Sequence, residues 1–311
     1  MTTNIRNYFL KVIVFILVCS YLMDKMAFVL LNSISDKVYS GQSIGKLNQF
    51  LEIKDDLDFI VVGSSRANHH VDVEKIAQKS FNMGSDGTKM AYASTLIKTL
   101  PNKEQVILMH ISPQTAFSKT YSGEDVESLK SKYNRNVSIE NEINYLKKNN
   151  PFQQFYWSLG YTGSILGMIK NRFFPNYDHT TYKGYDPLTV SEGQKKTLET
   201  ILNRNITKPC QEDLVLNPVY AHYLKDLKIF CKKNKKKLIL FTAPIYDDTC
   251  KSDNQKLAAI LQKSRIQYYD YADFFRNNNS IDYWKDQTHL SETGAQLLTT
   301  ELKEKLNLEL K

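Results

Sequence analysis

No Cys-x-x-Cys pair occurs in the chain, so its four cysteines do not have zinc-ribbon spacing. No Gly-Lys-Ser/Thr follows a glycine turn, which excludes a phosphate-binding P-loop. No internal repeat or low-complexity tract stands out, and 311 residues suit one large globular domain, or a domain with an appendage. Acidic residues are the scarcer charge, 33 against 41 basic, for a net charge of +8. Such a balance suits nucleic acid, an anionic membrane or an anionic polymer. Aromatic residues do interleave with lysines, but no nucleic-acid recognition motif accompanies them, and no nucleic-acid partner is expected. The densest basic run, residues 232–237, reads as a solvated helix end. No cofactor is implied. His69-His70 suggests a metal, but adjacent side chains diverge and no third ligand is evident, so the pair reads as a surface pair and no metal ligand is assigned. His110, inside an apolar run, reads as a satisfied core histidine.

What is present begins at the N-terminus. Residues 8–23 are almost wholly apolar apart from Lys11, and the apolar character resumes at Met26–Leu31 after Asp24-Lys25. About 20 residues span a bilayer. Small residues Cys19 and Ser20 lie within the run, so cleavage stays open, but the run continues past them and no Ala-x-Ala-like site follows. The segment reads as a signal anchor, giving a cytoplasmic tip and transmembrane helix over 1–33 and a stem over 34–56. The remaining domain spans 57–311. Arg6 and Lys11 on the N-terminal side place that end in the cytoplasm and the bulk of a single-pass protein outside the inner membrane. Cys210 and Cys250 suit one disulfide in an oxidising compartment; unpaired core thiols are the alternative.

Beyond the stem, short apolar runs alternate with helical patterns. Strands are predicted at 57–62, 80–84, 105–111, 237–242 and 266–269. Helices are predicted at 73–79 (Asp72 as N-cap), 88–100, 191–203, 218–233, 253–263 and 291–306. Residues 114–190 break the rhythm with Tyr, Phe, Asn and Lys, two helical stretches and no evident strand. They read as an inserted helical segment capping one end of the sheet. The alternation predicts an α/β three-layer sandwich with a five-stranded parallel sheet, whose sites lie at the carboxyl ends of strands.

Three motifs stand at such ends. Gly63-Ser64-Ser65-Arg66 follows the first strand; Ala67 replaces the last glycine of a Gly-x-Ser-x-Gly elbow, so this is not an α/β-hydrolase turn. Asn82-Met83-Gly84-Ser85-Asp86-Gly87 follows the second strand, where a glycine N–H suits an oxyanion donor. Asp286-Gln287-Thr288-His289 stands before the last helix, a spacing that lets the aspartate orient the imidazole. Together, in this order, they resemble the SGNH or GDSL-like hydrolase superfamily over roughly 57–113 and 237–306. The anchor adds a resemblance to membrane-bound SGNH proteins of bacterial cell envelopes.

That resemblance implies a flavodoxin-like fold and a serine esterase or O-acyltransferase acting on an acylated envelope polysaccharide. It implies Ser65 as nucleophile, His289 as base and Asp286 as its orienter, with oxyanion donors at Ser65 and Gly84. The family's Gly-x-Asn-Asp block is absent: the third strand ends Ile111-Ser112-Pro113-Gln114, and Gln114 is the candidate for the missing donor. Ser64 competes as nucleophile, and Arg66 suits an anionic substrate or an ion pair. A membrane-bound O-acyltransferase is the partner class implied. The alternative is a non-catalytic glycan-binding or partner protein that has kept the fold.

Overall fold

A computed structural model describes residues 2–148, 150–203, 210 and 212–306. The N-terminal half of the chain contains α1 (Thr2–Ser35), α2 (Lys46–Ile53), β1 (Phe59–Val62), α3 (Ser65–His70), β2 (Ser80–Asn82), α4 (Met90–Lys98), β3 (Gln105–His110), α5 (Pro113–Ala116) and α6 (Val137–Tyr145). It continues with α7 (Pro151–Phe155), α8 (Ile165–Phe173), α9 (Glu192–Leu202), α10 (Pro218–Lys233), β4 (Lys236–Thr242), α11 (Lys251–Lys263), β5 (Gln267–Asp270) and α12 (Glu292–Leu306). Contacts divide the chain into two compact units, Met1–Asn48 with Leu129–Tyr177, and Gln49–Ser128 with Asp178–Lys311.

The apolar runs of the second unit become one all-parallel sheet of order β2-β1-β3-β4-β5. β1 is entirely apolar and entirely buried because both sheet faces are covered. On one face Phe59, Val61, Leu108, Ile239 and Phe241 meet Ala295, Leu298 and Leu302 of α12. α4 packs on α10, and α10 on β4. The strand order reverses between β1 and β3, so a crevice opens outside their carboxyl ends. Gly63 closes β1 there with φ +138°, and a Cβ on it would come within 2.8 Å of His110 Cβ. The predicted α/β class and five parallel strands are therefore those of the molecule.

One predicted helix is misplaced. Residues 73–75 make a single 3₁₀ turn, with the Asp72 carboxylate accepting from Glu74 N–H, while the helix forms earlier as α3. Arg66–His70 are all buried, yet Ala67 is the one apolar residue of α3, so the sequence offers no apolar stripe and no amphipathic period to read.

In the first unit, α1 contains a stretch, Ile5–Ser35, long and apolar enough to cross a membrane. Its large side chains are mostly exposed from Ile5 to Leu30. Phe28 leaves that surface to join Val38, Ile44, Tyr161 and Met168 in a small core. After α1 the chain does not run on as a bare stem: Ile44 and Leu47 are buried, and α2 follows. Cys210 and Cys250, in the second unit, form a disulfide with Cα atoms 5.4 Å apart.

Candidate active site

The three motifs converge in the second unit. Ser65, the first residue of α3, lies with Oγ 2.8 Å from His289 Nε2. His289 Nδ1 is 2.9 Å from Asp286 Oδ2 and 3.1 Å from Oδ1. The carboxylate fixes the proton on Nδ1, which leaves Nε2 to accept from the serine hydroxyl. The Asp-x-x-His turn is preformed: Asp286 Oδ1 accepts from the N–H groups of Thr288 (2.7 Å) and His289 (2.9 Å). Burial alone would raise the Asp286 pKa. The hydrogen bonds from His289 and Thr288 outweigh it and hold the carboxyl well below the usual carboxylate range.

A cavity of about 230 Å³ opens at this point, lined by Ser65, Arg66, Gly87, His110, Gln114 and His289 among others. Arg66 is only 9% exposed, and its Nη1 is buried without a hydrogen-bond partner. Burial lowers its pKa, opposed by the charges of Asp286 and Asp248. Gln114, on the short α5, reaches the same cavity.

Gly84 does not line it. Its N–H donates to Asn82 Oδ1 at 2.8 Å, and a Cβ there would come within 2.3 Å of Asn68 N. Gly84 thus lets β2's exit pack against α3. Asn82 Nδ2 ties the same helix by donating to the Ala67 and Val71 carbonyls. The glycine that does reach the cavity is Gly87, with φ +75° and open space where a Cβ would stand. The turn Ser85-Asp86-Gly87 carried that signal in the sequence, three residues past the glycine singled out.

The histidines need correction. His69 and His70 are buried, not a surface pair. His70 Nε2 accepts the Leu290 N–H at 3.0 Å, which holds the residue after His289 in place. His69 Nε2 pairs with Asp86 at 3.0 Å, and its Nδ1 lies 2.6 Å from the Asp186 carbonyl. His110 is a core histidine, but half satisfied: Nδ1 meets Ser64 Oγ at 3.0 Å, while Nε2 is buried without a partner. Burial, then neighbouring positive charge, pushes His70 and His110 well below the usual histidine range, so both are neutral. His69 is pushed up, because its bonds to Asp86 and Asp186 outweigh desolvation. No sequence pattern marks the role of His70, since its partner lies 220 residues away.

No protein-family model matches the sequence, and no curated protein matches it. Among solved structures, the chain is similar to a Streptococcus pneumonia protein provisionally named a platelet activating factor. Identity is 10%, over 93% of this chain and 98% of that one, with a TM-score of 0.39. It is also similar to a Bacteroides fragilis protein provisionally named an acylhydrolase, at 14% identity over 81% and 88%, with a TM-score of 0.37. At these scores neither likeness bears on mechanism.

Proposed function

We propose that the chain is a membrane-anchored SGNH-type serine esterase or O-acyltransferase acting on an O-acylated envelope glycan. The observation that carries this is the unbroken relay Ser65 Oγ–His289–Asp286, with contacts of 2.8 and 2.9 Å at the edge of a cavity. Ser65 attacks the ester carbonyl as His289 Nε2 takes its proton, and Asp286 stabilises the imidazolium. The tetrahedral oxyanion is held by the Ser65 N–H, which as the first residue of α3 has no intrahelical acceptor. Gly87 and Gln114 supply the remaining donors; Gly84 would first have to give up Asn82. Collapse expels the alcohol, protonated by His289. The acyl-enzyme then passes to water or to a second glycan hydroxyl. Arg66 draws an anionic part of the substrate towards the cavity.

The site lies outside the cytoplasmic membrane in this reading, where a membrane-bound O-acyltransferase would be its partner. Arg6 and Lys11 on the N-terminal side of α1 support that orientation, as does the Cys210–Cys250 disulfide. Retention of α1 is supported by its own contacts: Ser20 Oγ lies 2.9 Å from Tyr156 Oη, a contact that cleavage after Ser20 would remove. Fluorophosphonate labelling tests the assignment. The wild-type chain and Ser64→Ala should label, and Ser65→Ala should not. An unlabelled wild type would leave the non-catalytic, glycan-binding reading.

A further inference from the structure

The first unit exposes an apolar surface that α1 alone does not explain. On α8, Leu166, Ile169 and Phe173 follow the i, i+3, i+7 spacing of one helical face, and all three face outward. Leu166 is 83% exposed and Phe173 67%. Met168, on the opposite side, is buried with Phe28 in the small core. Phe152 and Phe155 of α7 and Phe174, just past α8, are exposed as well. An exposed apolar stripe of this kind marks a surface that something other than water covers.

What covers it is indicated by where it is fastened. The α7 region is bound to the apolar helix itself: Tyr156 Oη lies 2.9 Å from Ser20 Oγ, and Lys25 Nζ donates to the Phe155 carbonyl at 2.7 Å. Lys25 also lies over the Trp157 ring at 3.9 Å, and the Tyr21 and Phe155 rings meet at a tilt with centroids 4.9 Å apart. Asp24, a carboxylate within an otherwise apolar helix, is fully engaged by Trp157, Ser158 and Lys25. Tyrosine, tryptophan and a snorkelling lysine gathered at one level are the side chains that favour a membrane–water boundary. Ile5–Ser35 is about 46 Å long, some ten residues more than a hydrocarbon core of about 30 Å requires. The α7 region is fastened at residues 20–25 of that helix, and α8 packs through Met168 in the same small core as Phe28. Lys170 and Arg172, exposed on α8, can meet lipid phosphates.

We infer that α7 and α8 are in-plane membrane elements whose stripe of Leu166, Ile169 and Phe173 is buried in the lipid of the leaflet into which α1 emerges. The occupant is the bilayer, and the surface fixes α1 in depth and tilt. This inference rests on α1 spanning the membrane but not on the catalytic reading.

Nitroxide labels on the full-length chain in phospholipid vesicles test it. In a Cys19→Ser background the remaining thiol, Cys231, is buried and the other two cysteines are bonded, so one introduced cysteine reports alone. Labels at Leu166→Cys and Phe173→Cys should collide with oxygen severalfold more than with a water-soluble nickel chelate. Ile16→Cys on α1 should do the same, and Lys233→Cys in the second unit should do the reverse. If Ile16→Cys reads lipid while 166 and 173 read water, the in-plane inference is overturned and the anchor stands. If all read water, the anchor itself fails. Shielding of 166 and 173 from both reagents would mean a protein partner or a second copy covers the stripe, which also overturns the inference.

Discussion

Two serine–histidine pairs stand side by side after β1, and their surroundings differ. Ser65 meets His289, whose far nitrogen rests on Asp286 in a half-open turn. Ser64 meets His110, whose far nitrogen is buried with no partner. The second pair has the hydrogen bond but no carboxylate, so nothing would stabilise an imidazolium, and burial already keeps His110 neutral. Ser64 instead caps α3, its Oγ accepting from the Arg66 N–H at 3.3 Å. A short Ser–His distance therefore does not identify a nucleophile; the group behind the histidine does.

Exchanging the two serines gives the largest contrast. Ser65→Ala should lower kcat for hydrolysis of a simple aryl acetate by about 10⁶-fold. Ser64→Ala should change it less than about tenfold while costing about 1 kcal/mol of stability as a lost cap. Equal losses in both variants would erase the distinction. Next in size, Asp286→Asn should reduce kcat by about 10³–10⁴-fold with KM little changed, because the imidazole loses its orienting acceptor. A drop below tenfold would mean that Asp286 serves the turn alone.

The smallest effect is in pH and belongs to the buried histidines. His70 and His110 have folded-state pKa values depressed below the ordinary value of about 6.5. Below that pH the unfolded chain binds protons that the folded chain does not, so stability falls as pH drops. The slope is about 1.4 kcal/mol per pH unit for each histidine until its folded value is reached. His69, raised by Asp86, acts oppositely: its contribution is complete below the unfolded value and lost as pH rises through the folded one. Asp286 adds stability above the ordinary carboxylate value that is lost only in stronger acid. Denaturation midpoints measured between about pH 7 and 5.5 should therefore fall, and His110→Asn should reduce the acid-linked loss by about one histidine's share. An unchanged slope in that variant would place His110 in contact with water.

Much of this was legible before folding. Apolar runs such as Phe59–Val62 and residues 237–242 are long enough and punctuated well enough to mark buried parallel strands. The Ser65, Asp286 and His289 motifs each stand at an element end, where a parallel sheet presents its side chains. The α3 helix was not legible, because its buried residues are polar apart from Ala67 and so leave no apolar period. The resemblance implies Gly84 as a donor, and the sequence does not show that Asn82 already occupies its amide.

By itself, the sequence determined the strand and helix alternation, the apolar N-terminal helix and the residue types of the Ser–His–Asp relay. These depend on short-range periodicity and spacing. Only the tertiary structure decided which polar groups found partners when water was removed. It joined His70 to Leu290 and gave Ser64 and Ser65 different histidines. It left Arg66 Nη1 and His110 Nε2 unpartnered and seated Asp24 on Trp157 and Ser158. Such pairings join segments up to 224 residues apart, and they follow from packing rather than from local sequence.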